Sequence, residues 1–309
     1  MEKQFQQKLL QDEFLDIIGQ EPAKYQLKSA LLMGRHVIIA GAPGIGKTTL
    51  AKNVAKLLPE IVVNNCGYNC IPESPACPSC KNGKKADKKK IGGIKRFVRV
   101  QGSPDLTSED LKIFKANNGV LFFDELNRCP AKLQNALLQV LEEGKATIGS
   151  YNIDFGADLI FIGTLNPYDT ATENLSEVFL DRFDLVYMTY PEELETEKRI
   201  ITEKGKRVAE FPEELLTSMT GFVRGLRDNS KLEKFPSVRA CMGLYERAQA
   251  NAILRKRKIV EEEDVKDALI SVLAHRIGLK PSAKYTETTK EFLEEEIKEK
   301  FGAASGDYR

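Results

Sequence analysis

The sequence predicts an α/β core, a parallel sheet flanked by helices, followed by a small all-helical domain. Three observations carry that reading. Over the first 190 residues short β-rich runs alternate with helical patterns. A glycine-rich loop joins the first such run to a helix. After Tyr190-Pro191 the strand signals disappear. The expected division is a core over residues 1–190, with a cysteine-bearing ribbon inserted at about residues 64–96, and a helical domain with its tail over residues 191–309.

The elements follow in order. Met1 to Asp16 is polar and helical in pattern, without the apolar stretch and small-residue cleavage site of a secretory signal. Strands are expected at His36 to Ala40, Phe97 to Gln101, Val120 to Phe123, Leu159 to Thr164 and Leu185 to Tyr190. Helices are expected at Thr48 to Leu58 and at Ala131 to Glu143, where Leu133, Leu137, Val140 and Leu141 share a face. Lys145 to Phe155 reads as a hairpin turning at Gly149-Ser150. Beyond residue 190 helices are expected at Glu192 to Ala209, Pro212 to Arg227, Ser237 to Arg257 and Glu261 to Arg276. The acids at Glu261 to Asp264 suit a helix N-terminus. A last helix runs from Thr286 to Phe301, and Gly302 to Arg309 reads as a frayed tail.

Composition narrows the setting. The 46 Lys and Arg nearly cancel the 45 Asp and Glu, so net charge points to neither a nucleic-acid nor a membrane partner. The apolar runs are too short to span a bilayer. A cytoplasmic location is expected, where six cysteines serve as thiols or metal ligands in preference to disulfides.

The loop Gly41-Ala42-Pro43-Gly44-Ile45-Gly46-Lys47-Thr48-Thr49 fits G-x-x-x-x-G-K-[ST] at each fixed position. Glycines let backbone N–H groups close around phosphate oxygens, and the helix that follows points its positive end at them. Lys47 would reach the β and γ phosphates of a nucleoside triphosphate, and Thr48 would ligate Mg²⁺.

Val120-Leu121-Phe122-Phe123-Asp124-Glu125 is a buried-type strand ending in two carboxylates at the sheet edge where ligands of such folds collect. Asp124 is suited to hold Mg²⁺ through water, and Glu125 to orient and deprotonate an attacking water. Asn166 closes the apolar run from Phe161, placed to contact the γ-phosphate or position the water. Arg182, in Leu180-Asp181-Arg182-Phe183-Asp184, offers a guanidinium to developing phosphate charge, on its own or a neighbouring subunit; its bland reading is a surface ion pair with Asp181 or Asp184.

The order GAPGIGKTT, LFFDELNR, GTLNP, LDRFD and PSVRA resembles AAA+ ATPases of the group that includes MoxR proteins and the magnesium-chelatase I subunit. The resemblance runs from Ile17-Ile18-Gly19-Gln20 to Arg276-Ile277. It implies a P-loop core with a helical lid, Mg²⁺-dependent ATP hydrolysis, and a hexameric ring with ATP between protomers. By the same resemblance Asn166 is a first sensor, Arg182 an arginine finger, Arg239 in Pro236-Ser237-Val238-Arg239-Ala240 a second sensor on the lid, and Arg128 a further arginine reaching across a subunit boundary. One departure stands out: relatives carry a longer insertion before the acidic strand, whereas here only Thr107 to Asn118 intervene.

Cys66, Cys70, Cys77 and Cys80 follow C-x3-C-x6-C-x2-C, four thiolates able to close a tetrahedral Zn²⁺ shell. An iron–sulfur cluster uses the same ligands, and a metal-free loop or redox-active thiols are the remaining readings. Ile61 to Val63 and Phe97 to Val100 bracket the insertion and are expected to pair. Lys81, Lys84, Lys85, Lys88, Lys89, Lys90, Lys95, Arg96 and Arg99 form a basic tract, read first as a solvated mobile loop and second as a contact for nucleic acid or an acidic partner. Cys129 and Cys241 are expected to be small buried side chains, and His36 and His275 core or interface residues.

Three functions fit. The first is an ATP-hydrolysing motor that remodels or matures a protein partner, metal insertion included. The second is a nucleic-acid-directed ATPase. The third is a switch that only binds ATP, against which Glu125 argues.

Overall fold

The computed structural model describes residues 2–83, 87–148, 153–167 and 175–302. The chain forms two units, Met1–Ala42 with Gly46–Met188, and Pro43–Ile45 with Thr189–Arg309.

The strands, in chain order, are β1 (His36–Ala40), β2 (Ile61–Asn64), β3 (Lys88–Ile91), β4 (Phe97–Gln101), β5 (Gly119–Asp124), β6 (Lys145–Ile148), β7 (Ile153–Gly156), β8 (Leu159–Leu165), β9 (Phe183–Tyr187), β10 (Leu232–Lys234) and β11 (Gly278–Leu279). In the first unit five of them form a sheet ordered β4-β5-β8-β1-β9, parallel at every pairing. Residues on both faces of β1, β5 and β8 are buried, as a parallel sheet covered by helices requires. Phe161 and Phe183 lie with ring centroids 5.2 Å apart and Phe179 joins Phe183 at 4.9 Å, an aromatic seam within that core.

The helix Lys47–Leu57 buries Leu50, Ala51, Val54 and Ala55. Ala131–Glu143 buries Leu133, Leu137 and Val140, and ends at Gly144 in the left-handed conformation, φ 62°. The hairpin β6–β7 pairs antiparallel; its expected turn at Gly149-Ser150 lies outside the described residues. The short connector before β5 consists of a 3₁₀ turn, Ser108–Leu111, and one helical turn, Ile113–Ala116.

The second unit is built on the helices Leu194–Lys204, Glu213–Asp228, Val238–Leu254, Glu262–Leu273 and Thr289–Phe301. Capping boxes start two of them: Glu261 with Asp264, and Thr288 with Glu291. Among the described residues of this unit two carboxylates are fully buried: Glu197, held by Arg227 at 2.6 Å and Arg224 at 3.1 Å, and Asp264, held by Arg255 at 2.5 Å and Arg257 at 2.8 Å.

Four expectations are corrected. The last strand of the sheet is Phe183–Tyr187, not 185–190, because register with β1 sets Phe183 opposite His36. Strands do not vanish after residue 190: β10 and β11 pair antiparallel through the buried Leu232 and Leu279. β2 does not pair with Phe97 to Val100; it pairs antiparallel with β3, while β4 is taken by β5, where Phe97 stacks on Phe122 at 5.4 Å. The basic tract is not one mobile loop. Lys88, Lys89 and Lys90 stand exposed on a strand, and Arg96 is fully buried, its guanidinium donating to the carbonyls of Pro59 and Asn118. Lys84 and Lys85 lie outside the described residues, as do residues 303–309 of the tail.

Candidate functional site

The glycine-rich loop leaves the carboxyl end of β1, where the Gly41 amide donates to the Leu165 carbonyl at 3.0 Å and ties the loop to the end of β8. Lys47 Nζ donates to the carbonyls of Gly41 at 2.6 Å and Ala42 at 2.9 Å, so its ammonium folds back over the loop. Gly46 caps the following helix at φ 107° without a side-chain cap. The first-turn amides of Lys47, Thr48 and Thr49 therefore point into the loop, the arrangement that binds anions. Within the second unit, a Cβ added at Gly44, φ 81°, would stand 2.9 Å from Arg239 Cγ. Only glycine fits there.

β5 brings Asp124 and Glu125 to the same edge of the sheet, two strands from β1 with β8 between. Asp124 is held from both neighbouring strands. Thr164 on β8 donates its hydroxyl to Asp124 Oδ1 at 2.7 Å, and Arg99 on β4 meets Oδ2 at 2.5 Å. The same Thr164 oxygen accepts the Glu125 amide at 2.9 Å. Glu125 takes the left-handed conformation, φ 56°, which turns its side chain out of the strand to accept from Gln101 Nε2 at 3.0 Å and to face Arg128 at 3.4 Å. Gly102 lies so near the Asp124 and Glu125 carbonyls that a Cβ would collide with both. Its amide donates to the Asp124 carbonyl at 2.6 Å.

Arg99, Gln101 and Thr164 were not among the expected site residues. Their signal was the strand pattern itself: each lies on an apolar run adjacent in the sheet to the acidic strand. Arg99 in particular belongs to the carboxylate pair and not to an open basic tract.

Asn166 follows directly on β8 and is half-buried. Arg182 is partly exposed and bound to acids of its own chain, Glu142 and, at 3.0 Å, Asp181; Asp184 pairs instead with Arg35 at 3.0 Å. Arg239 is exposed at the start of Val238–Leu254. His36 is structural: its Nδ1 accepts the Phe161 amide at 3.2 Å, and burial, reinforced by Arg35, lowers its pKa. His275 is exposed, so of the two expected placements, core or interface, it does not take the first.

The AAA domain of the dynein-related subfamily matches residues 36–183, and an AAA lid domain matches residues 235–297. The chain is an AAA+ protein. It is similar to the magnesium-chelatase subunit ChlI homolog of Methanocaldococcus jannaschii, 29% identical over 93% of this chain and 90% of that protein. It is also similar to chaperone MoxR1 of Mycobacterium tuberculosis, 25% identical over 90% of this chain and 76% of that one. Among solved structures a Thermotoga maritima RuvB mutant superposes with a TM-score of 0.57 at 19% identity, covering 84% of this chain and 72% of that one, a likeness of fold. Among the described residues of this AAA+ protein, no helix is long and apolar enough to cross a membrane.

Inserted in the AAA+ core, Cys66, Cys70, Cys77 and Cys80 bring their sulfurs within 4.8 Å of one another. Cys70 and Cys77 are buried, Cys66 and Cys80 half-buried. Burial raises the Cys66 thiol, but the Cys70 and Tyr68 amides and the neighbouring thiols outweigh it and bring it to about 7. Burial pushes Cys70, Cys77 and Cys80 up. Burial pushes Cys129, whose thiol donates to the Pro130 carbonyl at 3.8 Å, up to about 12, and Cys241 lies buried against Glu197 at 3.3 Å. Both are small buried side chains, as expected.

Proposed function

We propose that this AAA+ protein hydrolyses ATP with Mg²⁺ and couples turnover to the remodelling or maturation of a protein partner. The observation that carries the hydrolytic reading is the carboxylate pair at the edge of the sheet that carries the phosphate loop, with Asp124 and the Glu125 amide both fixed by Thr164. Lys47 and the loop from Gly41 to Thr49 bind the phosphates, through backbone N–H groups other than those of Gly41, which donates to the Leu165 carbonyl, and Pro43, which has none; Thr48 and, through water, Asp124 would hold Mg²⁺, which neutralises phosphate charge when bound. Glu125 orients the attacking water and takes its proton, and Asn166 positions that water against the γ-phosphate. Arg182, Arg239 and Arg128 are the guanidiniums that would meet developing charge, Arg182 on leaving Glu142 and Asp181, with Arg182 and Arg128 acting across a boundary in a hexameric ring. Zn²⁺ fills the four-cysteine site, and the protein works in the cytoplasm. The partner chemistry follows its relatives, one named a chaperone and one a magnesium-chelatase subunit homolog; metal insertion is the second form of that reading.

Purified protein should release phosphate from ATP only with Mg²⁺, and Glu125→Gln should keep nucleotide binding while slowing release by about a hundredfold or more. Wild-type protein no faster than that variant would sink the proposal. A nucleic-acid-directed ATPase is the alternative supported by the exposed Lys88, Lys89 and Lys90. Stimulation by DNA or RNA that is lost when those three lysines are neutralised would favour it.

A further inference from the structure

The cysteine knuckle has almost no apolar core of its own. Its buried hydrophobic side chains are Cys70 and Cys77, packed with Cys66, Cys80, Tyr68, Ala76 and Phe114. A segment with so little to bury takes its order from a crosslink. A single Zn²⁺ with bonds of about 2.3 Å holds tetrahedral sulfurs about 3.8 Å apart, inside the 4.8 Å within which all four sulfurs lie, whereas a cluster of several irons stands between its thiolates and spreads them. Two sulfurs already accept N–H groups, Cys70 from the Cys77 amide at 3.3 Å and Cys80 from Asn64 Nδ2 at 3.5 Å. Such donors steady thiolate ligands.

Tyr68 and Asn69 lie between the ligands Cys66 and Cys70, and they make the knuckle's contacts to the connector before β5. Asn69 Nδ2 donates to the Lys115 carbonyl at 2.8 Å. Asn117 Nδ2 donates to the Tyr68 carbonyl at 3.1 Å, and Asn118 Nδ2 to the Asn69 carbonyl at 3.0 Å. The Tyr68 ring meets Phe114 edge-on at 5.3 Å. The two asparagines then pass the contact to the sheet: the Asn118 amide donates to the Asp158 carbonyl at 2.5 Å, and Asn117 Oδ1 accepts the Asp158 amide at 3.0 Å. Asp158 and Asn118 immediately precede β8 and β5, whose far ends carry Thr164 and Asp124.

We infer that the four cysteines bind one Zn²⁺ whose loading seats Tyr68 and Asn69 on the connector and thereby fixes the starts of β5 and β8. The inference rests on the zinc reading above and adds to it a place of action. The metal acts as a structural clamp on the two strands that carry the carboxylate pair and its hydroxyl donor, through a connector too short to fold on its own.

The test uses the full chain. Metal analysis should find about one zinc per chain and no iron; iron in its place, or no metal with all four thiols freely titratable under reducing conditions, overturns the zinc reading and the clamp with it. Amide exchange across residues 113–121 should rise at least tenfold when a chelator removes the zinc, with Glu262–Leu273 unchanged. Because a cysteine variant can fail to fold, Asn69→Gly and Asn118→Gly serve as the second arm. Both positions already have positive φ, 48° and 57°, so glycine removes the side chain without straining the backbone. Each should keep its zinc and show the same local rise. Zinc present, with exchange over 113–121 unmoved by chelation or by either variant, overturns the clamp and leaves the zinc reading standing.

Discussion

Thr164 serves Asp124 and its neighbour with one hydroxyl: it donates to Asp124 Oδ1 at 2.7 Å while accepting the Glu125 amide at 2.9 Å. The side chain itself is buried. Valine has the same shape and neither function. Thr164→Val leaves a carboxylate oxygen and an amide without that partner, and should cost about 1–3 kcal/mol in denaturant unfolding. It should also slow phosphate release about ten- to hundredfold by misplacing the pair, with Thr164→Ser restoring most of both. A valine variant as fast as wild type would show that the hydroxyl only packs.

Lys47 already lies against the Gly41 and Ala42 carbonyls, so its loss removes a charged donor from a loop whose backbone is otherwise set by glycine. Lys47→Ala should weaken binding of a fluorescent ATP analogue about ten- to hundredfold and leave the thermal unfolding midpoint nearly unchanged. A large drop in the midpoint with nucleotide affinity retained would assign the lysine to folding.

Glu197 is one of two fully buried carboxylates among the described residues of the helical lid, Asp264 being the other. Burial pushes its pKa up, but the bonds and charge of Arg227, with help from Cys241 and Arg224, outweigh that and hold it below the usual carboxylate range. A depressed carboxylate stabilises above its unfolded pKa, and that contribution is lost as pH falls through the lower folded value. Lid stability should therefore hold down to about pH 4.5 and fall beneath it. Glu197→Gln removes the charge both arginines require and should cost about 3–5 kcal/mol at neutral pH, read by thermal unfolding; a variant with wild-type stability contradicts this.

His36 titrates in a different window. Its folded pKa is lowered, so the unfolded chain takes up the proton first and the stabilisation, complete above about 6.5, fades as pH drops below that value. NMR titration of the ring should give a midpoint under 6.5. A raised midpoint would mean that the Phe161 amide is not its partner.

Much of the core was legible in the sequence because its strands are buried on both faces and read as unbroken apolar runs. β1 and the helix Ala131–Glu143 match their expected bounds, and Asp124 and Glu125 announced themselves as charges closing such a run. What escaped depends on register and neighbours. Arg99 and Gln101 reach the carboxylates because β4 pairs in step with β5, Gln101 beside Asp124. Thr164 does so because β8, distant in sequence, lies on the other side. β3 was hidden by its composition: three lysines in a row resemble a loop, but the strand pairs with β2, which is buried on one side only, with Val63 buried and Val62 exposed. β10 and β11 are too short for any periodicity to register.

Arg99 and Asp124 carry a further consequence. The guanidinium sits on Oδ2 at 2.5 Å, half exposed, while the carboxylate is largely enclosed. The position where a divalent ion would approach the acidic strand thus already has a positive charge bound to it. On the proposed role of Asp124, metal loading there would be a substitution, one cation exchanged for another, its affinity set as much by how readily Arg99 swings into solvent as by the ligands that receive the ion.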